Sequence, residues 1–157
     1  MSLTLDLVRH GEAAPAGAGG DSQRPLSARG MKVITELARG LASEGWAPDR
    51  ILASPLLRAQ QTARLLAEHG THGKLVGTLA ALRPDGVPRE VITELAAQGA
   101  TAGHIVLVGH MPLLALLAAT LGRDEPSFAP GQLWRITLPN GPAAHAGTLA
   151  FTRRVDG

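Results

Sequence analysis

The sequence predicts an α/β three-layer sandwich with a mostly parallel central sheet. Short apolar runs alternate with longer helix-like segments along most of the chain, and two further strand-like runs follow at its end. A chain of 157 residues is long enough to bury ~70% of the surface that it exposes when unfolded. We find no internal repeat and no domain-scale linker, so we expect one domain over residues 1–157.

The predicted strands are short and rich in Leu, Ile and Val, which is typical of buried strands. The run at 104–108 is the clearest, because it is apolar and β-branched throughout. A weak strand is expected between Lys74 and Leu82. The remaining strands are predicted at 3–8, 50–53, 133–138 and 148–155.

The segments between these strands predict four helices. Capping signals set most of the starts, since Ser27 can cap the first helix and Ser54-Pro55 can supply the N-cap and first residue of the second. A glycine follows the end of each helix and stops it. The helices are predicted at 28 to about 44, 56–69, 88–97 and 113–121.

Composition narrows the class of protein. The net charge is only +2 and the arginines are scattered, so a nucleic-acid-binding surface is weakly supported. The absence of cysteine excludes disulfides, thiolate zinc sites and cysteine-nucleophile phosphatases.

Asp6 and Arg9 interrupt the first apolar run, which argues against a signal peptide. The most apolar segment, 113–121, is too short to span a bilayer, so we expect a cytoplasmic protein.

Two basic side chains, Arg9 and His10, come directly after the first predicted strand. In an open parallel sheet, ligands bind at the carboxyl ends of the strands. A guanidinium beside an imidazole at this edge suits an anionic substrate and covalent catalysis by histidine. An arbitrary Arg-His pair would ordinarily be interpreted as two solvated residues, but matching side chains follow later strands.

Arg58 and His110 are expected at the same edge of the sheet. Arg58 lies near the start of the second helix, and helical side chains lean toward their own N-terminus. His110 follows the strand at 104–108. The planar guanidinium binds two phosphate oxygens at once, and helix N-termini add free N–H groups. The arrangement predicts a phosphoryl site, although a solvated arginine and a turn histidine are the alternatives for each residue alone.

A metal site formed by His10, Glu12 and His110 is the other use of these residues. Arginines that face the same pocket would oppose a dication. We therefore expect no metal and no cofactor.

Three motifs, in this order and spacing, resemble the histidine phosphatase superfamily, which has the phosphoglycerate-mutase-like fold. They are Leu-Val-Arg-His-Gly-Glu at 7–12, Ser-Pro-Leu-Leu-Arg-Ala-Gln-Gln-Thr at 54–62 and Val-Gly-His-Met-Pro at 108–112. The short chain and its Arg-Pro-Leu-Ser at 24–27 resemble the small bacterial phosphohistidine phosphatases of the SixA type. The resemblance covers nearly the whole chain and fades after about Arg123.

The resemblance implies that His10 is the nucleophile, which takes the phosphoryl group on a ring nitrogen and passes it to water. Arg9, Arg58 and His110 would hold the phosphoryl oxygens and stabilise charge during transfer. Arg24 matches an extra arginine of the small members and would also contact phosphate.

Three further residues have supporting roles by the same resemblance. Gly11 would permit close backbone approach at the phosphate-binding loop. Glu12 would orient that loop or pair with an arginine. Thr62 lies one turn beyond Arg58 on the same helix face and would support it. The glycine-rich segment at 13–20 is expected to be a mobile loop, either a disordered spacer or a gate for the substrate.

The chain departs from the larger family members, many of which carry a glutamate general acid after the third strand. Here the segment at 79–84 holds no carboxylate before Asp85 and Glu90. Imidazole leaves from phosphohistidine more readily than an alkoxide leaves from a phosphomonoester, because the ring can be protonated before the bond breaks. We therefore expect a protein phosphohistidine phosphatase whose partner is a phosphorylated, histidine-containing protein of the histidine-phosphotransfer type.

Two alternatives remain open. The chain could be a broad-specificity acid phosphatase or mutase-like phosphomonoesterase that uses Asp85 or Glu90 as its acid. It could also be a catalytically idle module that binds phosphorylated partners, although the intact Arg9, His10 and His110 argue against this. A turnover assay would separate these possibilities.

Overall fold

A computed structural model describes residues 1–74 and 76–156 of the chain. Six strands form one sheet in the order β3-β2-β4-β1-β5-β6. The strands are β1 (Leu3–Arg9), β2 (Arg50–Ala53), β3 (Val76–Thr78), β4 (Gly103–Gly109), β5 (Leu133–Leu138) and β6 (Thr148–Arg153). The helices are α1 (Ala28–Ser43), α2 (Leu57–Gly70), α3 (Pro88–Ala97) and α4 (Leu113–Leu121), with short 3₁₀ turns at Asp21–Gln23 and Ala80–Leu82.

The first four strands pair in parallel, and β5 and β6 add an antiparallel edge. The register sets Arg9 beside Gly109 and Ala53 beside Val108. The residues that follow β1, β2 and β4 therefore emerge at one edge of the sheet. This edge is the carboxyl edge, where the sequence predicts a site.

Helices cover both faces of the sheet, which confirms the predicted α/β sandwich. The period-2 alternation of β1 sends Leu5 and Leu7 into one apolar cluster and Val8 into the other. Leu95 of α3 and Leu117 of α4 belong to the first cluster. The second cluster receives its helical residues from α1 and α2, among them Ile34, Leu37 and Leu66.

Element boundaries agree closely with the sequence prediction at most positions. The Ser27 hydroxyl accepts a hydrogen bond from Gly30 N and caps α1, as predicted. The predicted weak strand is shorter than expected, because β3 covers only Val76–Thr78 and a 3₁₀ turn follows; Leu75 lies outside the described residues. The last strand ends at Arg153, two residues early.

The predicted cap of α2 is wrong. The helix begins at Leu57, and its N-cap residue, Leu56, makes no side-chain capping bond. Ser54 and Pro55 stay outside the helix, and the Ser54 hydroxyl lies 2.7 Å from His110 Nε2. Ser54, which the sequence pattern predicts as a helix cap, therefore contacts a histidine at the carboxyl edge of the sheet instead.

Asp6 is a fully buried carboxylate in the middle of β1. It accepts hydrogen bonds from Trp46 Nε1 at 2.8 Å and Arg135 Nε at 2.7 Å, and its other close neighbour is His104 Nε2 at 2.6 Å. Burial alone would raise the pKa of Asp6, but the bonds to His104, Arg135 and Trp46 lower it. Because these partners satisfy the oxygens of Asp6, the strand can bury a charged carboxylate without the free-energy cost of unsatisfied hydrogen-bonding atoms.

No helix within residues 1–74 and 76–156 is both long enough and apolar enough to cross a bilayer.

Candidate active site

The carboxyl edge of the sheet holds an open pocket of about 400 Å³. Its walls come from the loops after β1 and β4, the start of α2 and the loop before α1. All six residues predicted to form the site line this pocket: Arg9, His10, Gly11, Arg24, Arg58 and His110. Sequence reasoning and structure therefore bring the same side chains together.

His10 follows β1 and has a fixed ring orientation. Its Nδ1 lies 2.7 Å from the carbonyl oxygen of Gly11, and its Nε2 accepts a hydrogen bond from Arg58 Nε at 3.3 Å. A carbonyl oxygen can only accept and a guanidinium can only donate. The partners therefore place the proton on Nδ1 and leave a lone pair on Nε2.

The surroundings of His10 keep its ring neutral. Burial lowers the pKa of His10 to about 4, and the charges of Arg58, Arg9 and Arg24 act in the same direction, against the hydrogen bond to Gly11. At neutral pH the ring therefore carries no charge. A neutral imidazole is the form that can attack phosphorus, once its Nε2 lone pair is released from the Arg58 Nε–H.

His110 follows β4 and lies next to His10, with the two ring centroids 5.0 Å apart. Its Nε2 contacts Ser54 Oγ at 2.7 Å, and its buried Nδ1 has no hydrogen-bond partner among the described residues. Burial lowers the pKa of His110 to about 3, and His10 and Arg58 add to this. The ring is therefore neutral, and one of its nitrogens is buried without a partner among the described residues.

Arg9 ends β1 with its guanidinium partly anchored. Its NH1 donates to the Phe128 carbonyl at 2.9 Å, while its Nε is buried and has no partner within the described part of the chain. A buried donor without an acceptor is costly in an apo site. An anion in the pocket would supply the missing acceptor.

Asp21 is the site residue that sequence reasoning missed. Its carboxylate lies 3.2 Å from Arg24 NH1 and 3.3 Å from Arg58 NH2, and its carbonyl accepts from Arg58 NH1 at 2.9 Å. The hydrogen bond from Arg24 and the charge of Arg58 lower the pKa of Asp21. An incoming phosphoryl group therefore meets two arginines that already share a carboxylate. No local pattern signals this contact, because Asp21 and Arg58 are 37 residues apart.

Thr62 joins two parts of the site from beneath. Its hydroxyl accepts the Gly11 N–H at 3.1 Å and donates to the Arg58 carbonyl at 2.8 Å. These two hydrogen bonds fix the loop after β1 relative to the first turn of α2. The supporting role expected for Thr62 thus has a geometric basis.

Gly11 lines the pocket and also packs tightly against helix α1. Its N–H is bonded to Thr62, and a side chain at this position would meet Ile34 Cγ1 at 2.9 Å and Gly30 O at 3.2 Å. The absence of a side chain therefore allows the loop after β1 to approach that helix. Its role at the phosphate-binding loop stays a prediction.

Glu12 faces the start of α1. Its carboxylate accepts a hydrogen bond from Ser27 Oγ at 3.0 Å and lies 4.0 Å from Arg29 Nε. These contacts agree with the expectation that Glu12 orients the loop or pairs with an arginine.

The segment at 13–20 is anchored at its start, because Ala13 forms a β-bridge with Leu26. Arg24 Nε donates to the Ala14 carbonyl at 3.0 Å, so this segment also positions one of the pocket arginines.

The two carboxylates named as possible acids are absent from the pocket wall. Asp85 is 82% exposed and pairs with Arg83 at 3.6 Å. Glu90 lies in the first turn of α3 and is exposed. Pro84 is the residue of that segment that lines the pocket.

Acidic and histidine residues do not gather into a cation-binding group here. Across residues 1–74 and 76–156, no cluster of three or more His, Cys, Asp or Glu side chains could hold a metal ion. Arg9, Arg24 and Arg58 line the pocket together with His10 and His110.

A neutral histidine among arginines, at the carboxyl edge of this sheet, defines a class of phosphoryl-transfer enzymes. Residues 5–83 match the model of the histidine phosphatase superfamily, branch 1. The chain belongs to this superfamily, and it is a phosphatase by that membership.

The chain is also similar to individual proteins of known name or structure. The chain is 30% identical over 139 residues to the phosphohistidine phosphatase SixA of Escherichia coli K12, covering 87% of this chain and 86% of that protein. The structure of the protein histidine phosphatase SixA complexed with tungstate superposes with a TM-score of 0.84 at 28% identity, covering 96% of each chain. Phosphoglycerate mutase from Bacillus anthracis strain Sterne shares the fold, with a TM-score of 0.69 at 17% identity over 98% of this chain and 92% of that one.

Proposed function

We propose that the chain, as a single domain over residues 1–157, hydrolyses phosphohistidine on a protein through a phosphoryl intermediate on His10. The observation that carries this proposal is the position of His10, whose Nδ1 is held at the Gly11 carbonyl and whose unprotonated Nε2 lies in a pocket lined by Arg9, Arg24 and Arg58. The similarity to proteins named as phosphohistidine phosphatases supports the choice of substrate.

The reaction proceeds in two displacements at phosphorus. The Arg58 Nε–H moves from His10 Nε2 to a phosphoryl oxygen, and the freed lone pair of Nε2 forms a bond to phosphorus. The P–N bond to the substrate imidazole, which solvent has protonated, breaks at the same time, and the imidazole leaves with that proton. Water then attacks the phosphoryl group, the His10–phosphorus bond breaks, and a proton from water passes to phosphate or solvent. His10 returns to its starting form with its Nδ1 proton still directed at Gly11.

Positive charge stabilises both steps. Phosphoryl transfer requires mostly positioning and electrostatic stabilisation, because charge spreads over three equatorial oxygens. Arg9, Arg24 and Arg58 supply donors, and Arg58 also fixes the His10 ring before the substrate binds. His110 contributes a donor through Nδ1. These groups carry the charge, so the mechanism requires no metal.

Among the described residues, Glu12 is the carboxylate that lines the pocket, and it is held at the start of α1 by the Ser27 hydroxyl at 3.0 Å and by Arg29 Nε at 4.0 Å. With no other carboxylate on the pocket wall, the site favours phosphohistidine over a phosphomonoester. An alkoxide leaves slowly unless a group donates a proton to it, and general-acid catalysis is worth ~10²–10⁴-fold. Asp85 and Glu90 do not line the pocket, and the two arginines beside Asp21 keep that carboxylate ionised. Imidazole leaves after protonation by solvent and needs none of them.

The partner we propose is a phosphorylated, histidine-containing protein of the histidine-phosphotransfer type, in the cytoplasm. The pocket is an open depression at the sheet edge, with Pro84, Met111 and Pro130 on its wall. A phosphorylated side chain on a folded surface can reach such a site. A small phosphomonoester would leave most of these apolar contacts unused.

The test is a comparison of substrates under one set of conditions. We expect kcat/KM to be highest for a phosphohistidine protein, lower for an aryl phosphate and lowest for a phosphoserine peptide and an alkyl phosphate. Phosphohistidine protein with its phosphoryl group on the other ring nitrogen serves as a control for position. Preference for the phosphoserine peptide would favour a phosphomonoesterase, and binding of all substrates without turnover would favour a binding module.

A further inference from the structure

Ser54 is a buried polar residue that the proposed chemistry does not use. It follows β2 directly and is fully enclosed. Its hydroxyl oxygen lies 2.7 Å from His110 Nε2 and 3.3 Å from the N–H of Leu56. A hydroxyl has one proton to donate and lone pairs with which to accept.

These two partners determine where that proton points. The Leu56 N–H can only donate, so it occupies a lone pair of Ser54 Oγ. The hydroxyl proton then has His110 Nε2 within hydrogen-bond distance. A hydroxyl that donates to Nε2 requires that nitrogen to be unprotonated, so a neutral His110 carries its proton on Nδ1.

Nδ1 is the ring nitrogen of His110 that is left for a ligand in the pocket, because Ser54 already contacts Nε2. It is buried and lacks a hydrogen-bond partner among the described residues, while its ring lines the pocket beside His10. If Nδ1 carried a lone pair, it would repel the phosphoryl oxygens. If it carries the proton, it donates to them without any cationic charge on the ring.

We infer that Ser54 is a positioning residue, whose hydroxyl sets the tautomer of His110 so that a neutral Nδ1–H donates to the phosphoryl group. The catalytic role of Ser54 rests on the proposed function. The position of the proton on His110 does not, because it is a property of the free protein. The low pKa of His110 agrees with it, because a neutral ring has only one proton to place.

The experiment reads the tautomer directly by ¹⁵N NMR of the histidine rings in the free protein. Protonated and unprotonated ring nitrogens of a neutral imidazole resonate at well-separated shifts, and a His110→Gln variant assigns the signals. We expect wild type to show a protonated Nδ1 and an unprotonated Nε2. Ser54→Ala should give a mixture of tautomers or the opposite one, and Ser54→Thr should restore the wild-type pattern.

Kinetics on the same variants test the role in catalysis. Ser54→Ala should lower kcat about tenfold, less than the ~10²–10³-fold that loss of a charge-stabilising donor costs, with a smaller change in KM. Ser54→Thr should recover most of this loss. Thr120→Ala removes a hydroxyl near the end of α4 that donates to the Leu116 carbonyl and does not line the pocket, so it should leave both the His110 shifts and kcat unchanged.

Two results would overturn the inference: a wild-type His110 with its proton on Nε2, or a Ser54→Ala variant with an unchanged tautomer. Failure of the proposed function looks different. In that case the tautomer pattern would follow Ser54 as expected, and wild type would not turn over phosphohistidine protein.

Discussion

Arg58 Nε donates to His10 Nε2 at 3.3 Å, and the other end of the same guanidinium contacts Asp21. One side chain therefore fixes the ring that we propose as the nucleophile and presents charge to the phosphoryl oxygens. Arg58 is nearly buried, with 7% of its side chain exposed, so solvent screens this charge weakly.

The first prediction follows from this double role of Arg58. Arg58→Ala should lower kcat/KM by at least ~10²-fold, because it removes a donor aimed at developing charge. Arg58→Lys should recover only part of the loss, since an ammonium cannot bridge two oxygens. The matched control is Arg64→Ala, an exposed arginine on the same helix. Turnover by Arg58→Ala within a fewfold of wild type would contradict the geometry.

Thr62→Val tests the link beneath the site. The change preserves shape but leaves the Gly11 N–H without its acceptor, so the free energy of unfolding should fall by about 1–3 kcal/mol. Thr62→Ser should recover most of it. Thr35→Val is the control, because the exposed Thr35 hydroxyl makes the same type of bond to a carbonyl one turn earlier. Urea denaturation measures all three; equal losses in the two valine variants would show that the link is unimportant.

The low histidine pKa values predict how stability changes with pH. In the folded protein the pKa is about 4 for His10 and about 3 for His110, below the ordinary 6.5. As pH falls through 6.5, the unfolded chain binds protons at these residues and the folded protein does not. The free energy of unfolding should therefore decrease from about pH 6.5 toward pH 4.

Urea denaturation across this pH range, on wild type and on a His10→Asn/His110→Asn variant, checks the assignment. The variant should lose less stability on acidification than wild type, because it lacks the two groups that titrate differently. Parallel curves for the two proteins would mean that other residues cause the dependence.

The sequence predicts most of the fold and the members of the site, and the reasons lie in local patterns. Strand ends and apolar periodicity place Arg9, His10 and His110 at one edge of the sheet, because parallel strands have their carboxyl ends together. The exact bounds of α3 and β5 also follow from local signals, namely Pro88 at the helix start and the alternation of the strand.

The contacts that tune the site depend on tertiary packing, which local patterns do not reveal. Asp21 reaches Arg58 across 37 residues, and Ser54 reaches His110 across 56. From the sequence alone, Asp21 is interpreted as an ordinary polar loop residue and Ser54 as a helix cap, so neither pattern indicates a role in the site. Gly11 is similar, because its N–H bond to Thr62 and its fit against α1 also depend on residues distant in the sequence.

The fourth prediction concerns the missing acid. Asp85→Asn and Glu90→Gln should leave phosphohistidine hydrolysis nearly unchanged, because neither residue lines the pocket. Among small substrates, kcat/KM should depend steeply on the pKa of the leaving group, so that aryl phosphates are cleaved and alkyl phosphates scarcely react. A loss of ~10²-fold in either variant, confined to alkyl substrates, would favour a phosphomonoesterase.

The most direct test of the account is the identity of the phosphorylated atom on the enzyme. Rapid quench with labelled phosphohistidine protein should trap an acid-labile phosphoryl-enzyme, with the phosphoryl group on Nε2 of His10. His10→Ala should accumulate no label, whereas His69→Ala, which alters a histidine outside the pocket, should label as wild type does. Label on Nδ1 of His10, on another residue, or on the His10→Ala variant would contradict the account.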